Sequence, residues 1–229
     1  MPVPQRRQSL IEEGVGDGVR AARRAADPSS DRIAATRARL LSAAEALFLD
    51  QGYDDVSVRM INAKAGLNPG AVHYHFGSKR GLVVALLEDR LLRHWESGGG
   101  RRFDAIEAQA TVTVREVVEL SVDPLLALVA ASGPGRLYVN LLARVVLGRW
   151  DVTWTREAFL VDRWMVLVAR SAPAVPADVL RARWELAIAL SLELIGRPLA
   201  DDLSRPVTVD RDQLVQFLVA GLSAPLGAV

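Results

Sequence analysis

Residues 57–79 of this 229-residue chain have the sequence SVRMINAKAGLNPGAVHYHFGSK, which predicts two short helices joined by a tight turn. Ser57 is suited to open the first helix as its N-cap, and Gly66 to close it. Asn68 followed by Pro69 is a second start signal, with Asn68 as N-cap and Pro69 at the first helical position. Two short helices around a glycine-containing turn predict a helix-turn-helix motif.

Helical periodicity extends outward from this motif in both directions. On the N-terminal side, apolar residues recur at steps of three and four from Ile33 to Phe48, and Gly52 follows as a C-cap. On the C-terminal side, Ser78 caps a long helix that ends at the three glycines 98–100. We therefore expect an N-terminal three-helix domain that contains the helix-turn-helix.

The remainder of the chain predicts a larger, C-terminal helical domain. No run alternates with period two for long enough to form a strand, so the predicted fold class is all-α. Pro124 is expected to kink or split the second of these helices, because proline lacks the N–H that a helix needs. The predicted helices span residues 103–110, 114–131, 135–147, 155–171, 177–195 and 211–222.

Charge and composition narrow the classes of function. Lys and Arg number 28 against 27 Asp and Glu, so the net charge is +1 and any nucleic-acid site must be local. The absence of cysteine excludes disulfides, thiolate metal sites and cysteine nucleophiles. His73 and His75 are two residues apart, about 200° around a helix, and cannot share one metal ion. Since no catalytic motif occurs, we expect no enzyme activity, no metal and no cofactor.

The N-terminal sequence and the hydropathy pattern bear on where in the cell the protein is located. Residues 1–31 lack sustained periodicity and predict a disordered arm, either a passive tail or an arginine-bearing arm that touches DNA. No apolar segment follows the N-terminal arginines, so a secretory signal is not expected. The most hydrophobic later stretch, residues 184–195, is too short and too charged to span a bilayer. The sequence predicts a soluble cytoplasmic protein without a membrane partner.

The second helix of the motif carries groups that suit DNA. Its first residues are small, which lets a helix N-terminus approach the floor of the major groove. The next residues can donate hydrogen bonds to phosphates or base edges. His75, beside Phe76, is equally consistent with a hydrogen-bonding residue at the edge of the core. The small residues are Pro69, Gly70 and Ala71, and the polar ones are His73, Tyr74 and His75.

The order and spacing of these residues resemble a known family. Gly52-Tyr53, Ala65-Gly66-Leu67 and the run from Tyr74 to Lys79 are similar to the N-terminal DNA-binding domain of TetR-family transcriptional regulators. The resemblance implies a homodimeric repressor that leaves its double-stranded DNA operator when a small-molecule effector binds. It implies a DNA-binding domain over residues 32–96, with the helix-turn-helix at 57–76, and an effector-binding and dimerisation domain over 101–229.

The resemblance also implies roles for single residues. His73 stands where the family most often has Tyr, so a hydrogen-bond donor is kept with a shorter reach. Ala71 stands where Thr is common, which makes a thymine methyl group the better partner. Lys79 would bind a phosphate together with the N–H groups of the helix that it begins. The other implied roles are phosphate contacts by Ser57, Arg59 and Tyr74, and capping of the recognition helix by Asn68.

A pocket for the effector is expected among the C-terminal helices. Arg136, Asn140 and Arg144 are four residues apart and form one polar stripe, which either lines this pocket or is a solvated face. Each tryptophan is either pocket lining or ordinary core. The candidate pocket residues, which suit a hydrophobic effector, are Trp95, Tyr138, Asn140, Arg144, Trp164 and Trp184.

The last two predicted helices are apolar almost all round. A helix of this kind must be covered on every side, so one side is expected to meet a second copy of the chain in a four-helix interface. The alternative is a central helix buried within one subunit. The candidate interface residues are Trp184, Ile188, Leu190, Leu194, Leu214, Phe217, Leu218 and Leu222.

Two other functions are compatible with the same residues. The chain could be a helix-turn-helix DNA-binding protein that is controlled by a protein partner or has no effector pocket. It could also be a helical adaptor that does not bind DNA. Loss of DNA binding in Tyr74→Ala or Lys79→Ala would exclude the adaptor.

Overall fold

The computed structural model describes residues 28–94, 100–131, 133–156, 161–197 and 208–225. Within these ranges the chain forms ten α-helices and no strand, which confirms the all-α fold class. None of the helices so described is both long enough and apolar enough to cross a membrane.

The N-terminal helices surround the predicted motif. The first helix begins at Pro28, so residues 28–31, which were predicted to belong to a disordered arm, are helical. Residues 1–27 lie outside the described ranges. Proline suits a first helical turn because its ring fixes φ near the helical value, and Asp31 in that turn complements the helix dipole. Gly52 interrupts this helix with φ 79°, at the predicted C-cap position. The four helices are α1 (Pro28–Asp55), α2 (Val58–Lys64), α3 (Ala71–Phe76) and α4 (Lys79–His94).

The C-terminal helices follow the predicted spans with three differences. The predicted helix 103–110 lies three residues earlier, at Gly100–Glu107. Within the predicted helix 155–171, Val161–Ser171 is helical, whereas Thr155 and Arg156 are not, because they donate their backbone N–H groups to the Glu88 carboxylate of α4 instead. Pro124 does not split its helix, whose buried apolar side chains on both sides of the proline hold it together. The helices are α5 (Gly100–Glu107), α6 (Val114–Ala130), α7 (Gly135–Leu147), α8 (Val161–Ser171), α9 (Ala177–Gly196) and α10 (Arg211–Ser223).

One helix, α7, lies at the centre of the fold. It packs against α6 and α9 among the C-terminal helices and against α4 among the N-terminal ones. Leu137, Val139 and Leu141 are buried, and one continuous apolar core extends from Phe48 of α1 past α7 to Leu218 of α10. The central helix of the subunit is therefore α7, and not one of the last two helices.

The candidate dimer residues divide into two groups. Trp184, Leu214, Leu218 and Leu222 are buried within the subunit, so their apolar side chains already have neighbours and do not face outward. The assignment of these four residues to the dimer interface is therefore wrong. Phe217 is 66% exposed and Leu194 is also exposed, while Ile188 and Leu190 are half-buried. Leu186, which was not among the candidates, is 70% exposed on α9.

Candidate nucleic-acid interface

The first helix of the motif, α2, is capped as predicted. The Ser57 hydroxyl accepts a hydrogen bond from the Met60 N–H at 3.2 Å. At the other end, Gly66 has φ 63°, a conformation that favours glycine. Arg39 of α1 donates to the Ala65 carbonyl at 2.6 Å and so holds this turn against α1. The capping role of Ser57 is confirmed, and its phosphate contact stays a prediction.

The start of α3 is held by Asn62, a residue that the sequence pattern did not single out. Its buried side-chain amide donates to the Pro69 carbonyl at 2.5 Å, and its oxygen accepts from the Val72 N–H at 3.1 Å. A buried amide with both ends satisfied positions α3 relative to α2. The available signal was a polar residue on the buried side of α2, next to Ile61.

The predicted N-cap of α3 is wrong. Helix α3 begins at Ala71 with Gly70 as N-cap and no side-chain cap hydrogen bond, so Pro69 lies outside the helix. Asn68 is exposed, and its backbone carbonyl accepts from the Ala71 N–H at 3.0 Å. Since Asn62 already supplies an acceptor to the second N–H of α3, the helix has less need of a cap from Asn68.

The outer edge of α3 is polar and open. Val72 is buried and anchors the helix, whereas Tyr74 is 81% exposed and His73 is also exposed. Pro69 and Gly70, just before the helix, are exposed and add little bulk. The His73 Nδ1 atom lies 3.0 Å from the carbonyl oxygen of Gly77. A helix of this shape can approach another surface closely through its N-terminal half.

His75 lies at the edge of the core, as one of its two interpretations expected. Its ring is half-buried and packs edge-on against Tyr74, with the ring centroids 4.9 Å apart. Its carbonyl accepts from Arg37 Nη1 at 2.5 Å, and the Arg37 guanidinium lies 4.3 Å from the Phe76 ring centroid. Throughout the described ranges, no three His, Asp or Glu side chains gather as a metal site.

Lys79, expected to bind a phosphate, is engaged inside the protein. Its ammonium donates to the Tyr53 carbonyl at 2.5 Å and lies 3.9 Å from the Tyr53 ring centroid. Partial burial lowers the pKa of Lys79, against the opposing charge of Asp54. The start of α4 is capped by Ser78, whose hydroxyl accepts from the Gly81 N–H at 3.0 Å. A phosphate would have to compete with Tyr53 for this ammonium.

The local charge of the motif differs from that of the whole chain. Residues 57–80 contain four basic side chains and no Asp or Glu. The basic residues are Arg59, Lys64, Lys79 and Arg80, of which Arg59, Lys64 and Arg80 are exposed. This excess of positive charge beside the open edge of α3 suits a polyanion.

The described candidate pocket residues make their hydrogen bonds and ring contacts with other groups of the protein. On α7, the buried Tyr138 hydroxyl donates to Glu45 of α1, which also accepts from Arg90 of α4. Burial and the hydrogen bond to Glu45 raise the pKa of Tyr138. The polar side of Tyr138 therefore joins α7 to the N-terminal helices.

Asn140 and Arg144 form a second connection on the same helix. The buried Asn140 amide donates to the carbonyls of Gly196 and Arg197 at 3.1 and 2.9 Å and so caps the end of α9. Arg144 donates to Asn140 Oδ1 at 3.2 Å, and its Nη1 lies 2.8 Å from Asp54 Oδ2. The solvated-face interpretation is wrong for both residues.

The candidate tryptophans of the pocket contact other aromatic rings. Trp164 of α8 stacks on the buried Trp184 of α9 with the centroids 5.6 Å apart, and packs edge-on against Phe103 of α5 at 5.1 Å. Trp95 lies outside the described residues. The two candidate tryptophans that the structure describes thus form an aromatic cluster with Phe103.

The N-terminal part of the chain is similar to known proteins. Residues 40–86 match the family model of bacterial regulatory proteins, tetR family. The HTH-type transcriptional repressor Rv1474c of Mycobacterium tuberculosis is 36% identical over 61 residues, which are 27% of this chain and 33% of that protein. The HTH-type transcriptional regulator SrpR of Pseudomonas putida is 29% identical over 96 residues, 36% of this chain and 45% of that protein.

These matches cover less than half of either relative. A structural-genomics structure from Rhodococcus sp. RHA1 is 27% identical and covers 82% of this chain and 95% of that chain, with a TM-score of 0.45.

Proposed function

We propose that this chain, which carries a TetR-family domain at residues 40–86, is a transcriptional repressor that binds a double-stranded DNA operator as a homodimer. One observation carries the proposal. The second helix of a helix-turn-helix presents an open edge with Tyr74 81% exposed, beside four basic residues and no acidic ones. An exposed Tyr hydroxyl on such a helix suits a phosphate oxygen.

The proposed DNA contacts follow from exposure. Small residues let α3 enter the major groove, and the hydroxyls and cations around it bind phosphates. Lys79 joins them once its ammonium leaves the Tyr53 carbonyl. The proposed contacts leave out the half-buried His75 and are Ser57, Arg59, Pro69, Gly70, Ala71, His73, Tyr74 and Lys79.

The proposed dimer uses the exposed apolar residues of α9 and α10. Leu186, Leu194 and Phe217 are large apolar side chains that a monomer would leave in water. A two-fold axis at these helices would give two recognition helices for successive major grooves, about 34 Å apart. In this proposal residues 32–96 bind DNA, residues 101–229 dimerise and respond to an effector, and the protein works in the cytoplasm without catalysis.

Control by a small-molecule effector is the second part of the proposal. The aromatic cluster of Phe103, Trp164 and Trp184 favours an apolar ligand among α5, α8 and α9. The competing function, a regulator that answers to a protein partner or has no pocket, is favoured by a different observation. Tyr138, Asn140 and Arg144 already bind groups of the protein itself.

The test is fluorescence anisotropy with labelled duplexes selected from a random-sequence pool and from the DNA upstream of the gene. We expect two protomers per duplex, tighter binding than to a scrambled duplex, and at least about tenfold weaker binding by Tyr74→Ala. Arg93→Gln, at the far end of α4, is the control variant. Equal, weak binding to every duplex would contradict the regulator and favour an adaptor. Release of a selected duplex by an apolar compound would separate effector control from the competing function.

A further inference from the structure

The hydrogen bond of the His73 ring determines which of its nitrogens carries the proton. Nδ1 lies 3.0 Å from the carbonyl oxygen of Gly77, and a carbonyl oxygen can only accept. Nδ1 is therefore the N–H donor of the neutral ring. In this neutral form the other nitrogen, Nε2, has no hydrogen and is an acceptor on an exposed side chain.

The ring is held in this orientation by a reciprocal pair of contacts. The Gly77 N–H donates to the His73 carbonyl at 3.0 Å, while the His73 ring donates to the Gly77 carbonyl. Gly77 has φ 73°, a conformation that favours glycine and turns its carbonyl back toward α3. The acceptor character of Nε2 is thus built into the end of the helix.

We propose that His73 reads one base of the operator by accepting a hydrogen bond at Nε2 from an exocyclic amino group in the major groove. The proposal rests on the DNA-binding function proposed above. Adenine N6 and cytosine N4 are the amino groups that the major groove presents. A phosphate offers only acceptors, so a neutral Nε2 has nothing to bind there. The expectation that His73 keeps a free donor for DNA is corrected, because Gly77 already takes that donor.

His75 provides a matched comparison on the same helix. It has the same side chain, but its ring is half-buried between Tyr74 and Phe76, and its carbonyl is bound by Arg37. It is therefore less able to reach a base edge. A change that acts through the exposed Nε2 should affect His73 and spare His75.

The first experiment measures the proton position without DNA. Long-range proton–nitrogen spectra of the full chain, labelled with nitrogen-15 histidine, resolve three histidines. The signal that disappears in His73→Phe belongs to His73. We expect its neutral form to carry the proton on Nδ1. A proton on Nε2 would overturn the inference.

The second experiment removes single amino groups from a duplex that the wild type selects from a random pool. Purine replaces each adenine and 2-pyrimidinone each cytosine in turn. We expect one replacement per half-site to weaken wild-type binding about three- to tenfold, the size of one lost hydrogen bond. The same replacement should leave His73→Phe binding unchanged, while His75→Phe keeps the wild-type response. The analogue that has the effect identifies the base as adenine or cytosine.

Three outcomes would count against His73. If every replacement affects the wild type and His73→Phe equally, His73 reads no amino group and the inference fails alone. If His73→Phe binds all duplexes more weakly with a smaller salt dependence, His73 contacts a phosphate and the inference again fails alone. If the wild type selects no sequence, the proposed function and the inference fail together.

Discussion

Arg144 of α7 and Asp54 at the end of α1 form an ion pair, with Nη1 and Oδ2 2.8 Å apart. The same guanidinium donates to Asn140, which caps the end of α9, and lies 5.5 Å from the Tyr53 ring centroid. Tyr53 in turn accepts the hydrogen bond from Lys79. These contacts form a continuous connection between α9 and Lys79, the first residue of α4.

We expect the two partners of this ion pair to contribute unequally to stability. The Asp54 side chain is mostly exposed and that of Arg144 is mostly buried. Asp54→Asn should lower the free energy of unfolding by less than about 1 kcal/mol, as for an exposed pair. Arg144→Ala should cost about 2 kcal/mol, because it also removes a donor from the buried Asn140 and packing from Tyr53. Urea denaturation measures both values, and equal losses would contradict this difference.

Lys79→Gln should weaken binding to every duplex by a similar factor. The salt dependence of the affinity should fall by about one counterion, because one phosphate contact is lost. Arg93→Gln is the control, since it removes one charge about 21 Å further along α4. Anisotropy titrations at several salt concentrations measure the slope. A lower melting temperature without a change in slope would mean that Lys79 serves only to hold Tyr53.

Asn62→Ala should destabilise the protein far more than Asn68→Ala. The first variant leaves the buried Val72 N–H and the part-buried Pro69 carbonyl without their partner, which costs about 1–3 kcal/mol. Asn68 is exposed and makes no cap, so its substitution should stay within about 0.5 kcal/mol. Thermal unfolding of both variants tests the assignment. A larger loss for Asn68→Ala would restore Asn68 as the cap.

Asp123 of α6 should make the stability of the protein sensitive to acid. It accepts from Arg211 of α10 at 2.8 and 3.1 Å and from Arg102 of α5 at 3.0 Å. Burial alone would raise the pKa of Asp123, but the hydrogen bonds from the two arginines outweigh it and hold the pKa below its usual range. A lowered folded-state pKa stabilises the protein above the unfolded-state value, about 3.9, and this contribution disappears as pH falls through the folded-state pKa.

Asp123→Asn should therefore be less stable than the wild type by about 1 kcal/mol at neutral pH. The difference should shrink as pH falls below about 4 and be smallest below the lowered folded-state pKa of Asp123, where the wild-type carboxylate is protonated in the folded protein too. Asp212→Asn, which removes a far more exposed partner of Arg211, should match the wild type at every pH. Urea unfolding across this pH range measures the three proteins. A difference that stays constant with pH would contradict the ion-pair explanation.

Leu194→Glu combined with Phe217→Glu should give a folded monomer. Both side chains are exposed on the proposed interface, so charges there should oppose association without entering the core. Leu218→Glu, one residue further along α10, places a charge in the core and should cost about 3 kcal/mol or more. Light scattering and circular dichroism separate the two effects. A dimer that survives the double substitution would mean that the protein associates through another surface.

The local signals of the sequence predicted the helix-turn-helix well. Ser57 caps α2, and Gly52 and Gly66 both have positive φ where the sequence expects helices to end. Such signals act over three or four residues, so neighbouring side chains and glycine conformations are enough to predict them. The same local rules failed at Asn68, because a residue from the preceding helix, Asn62, had already satisfied α3.

The sequence by itself determined the all-α fold and the position of the helix-turn-helix, since periodicity and caps are local properties. Only the tertiary structure decided the partners of buried polar groups. Asn140 reaches Gly196, 56 residues away, and Lys79 reaches Tyr53 rather than solvent. Periodicity also indicated that α9 and α10 are apolar all round, but not which side meets α7 and which faces outward. That choice depends on how helices pack, because an apolar side chain gains the same free energy from any neighbour that removes it from water.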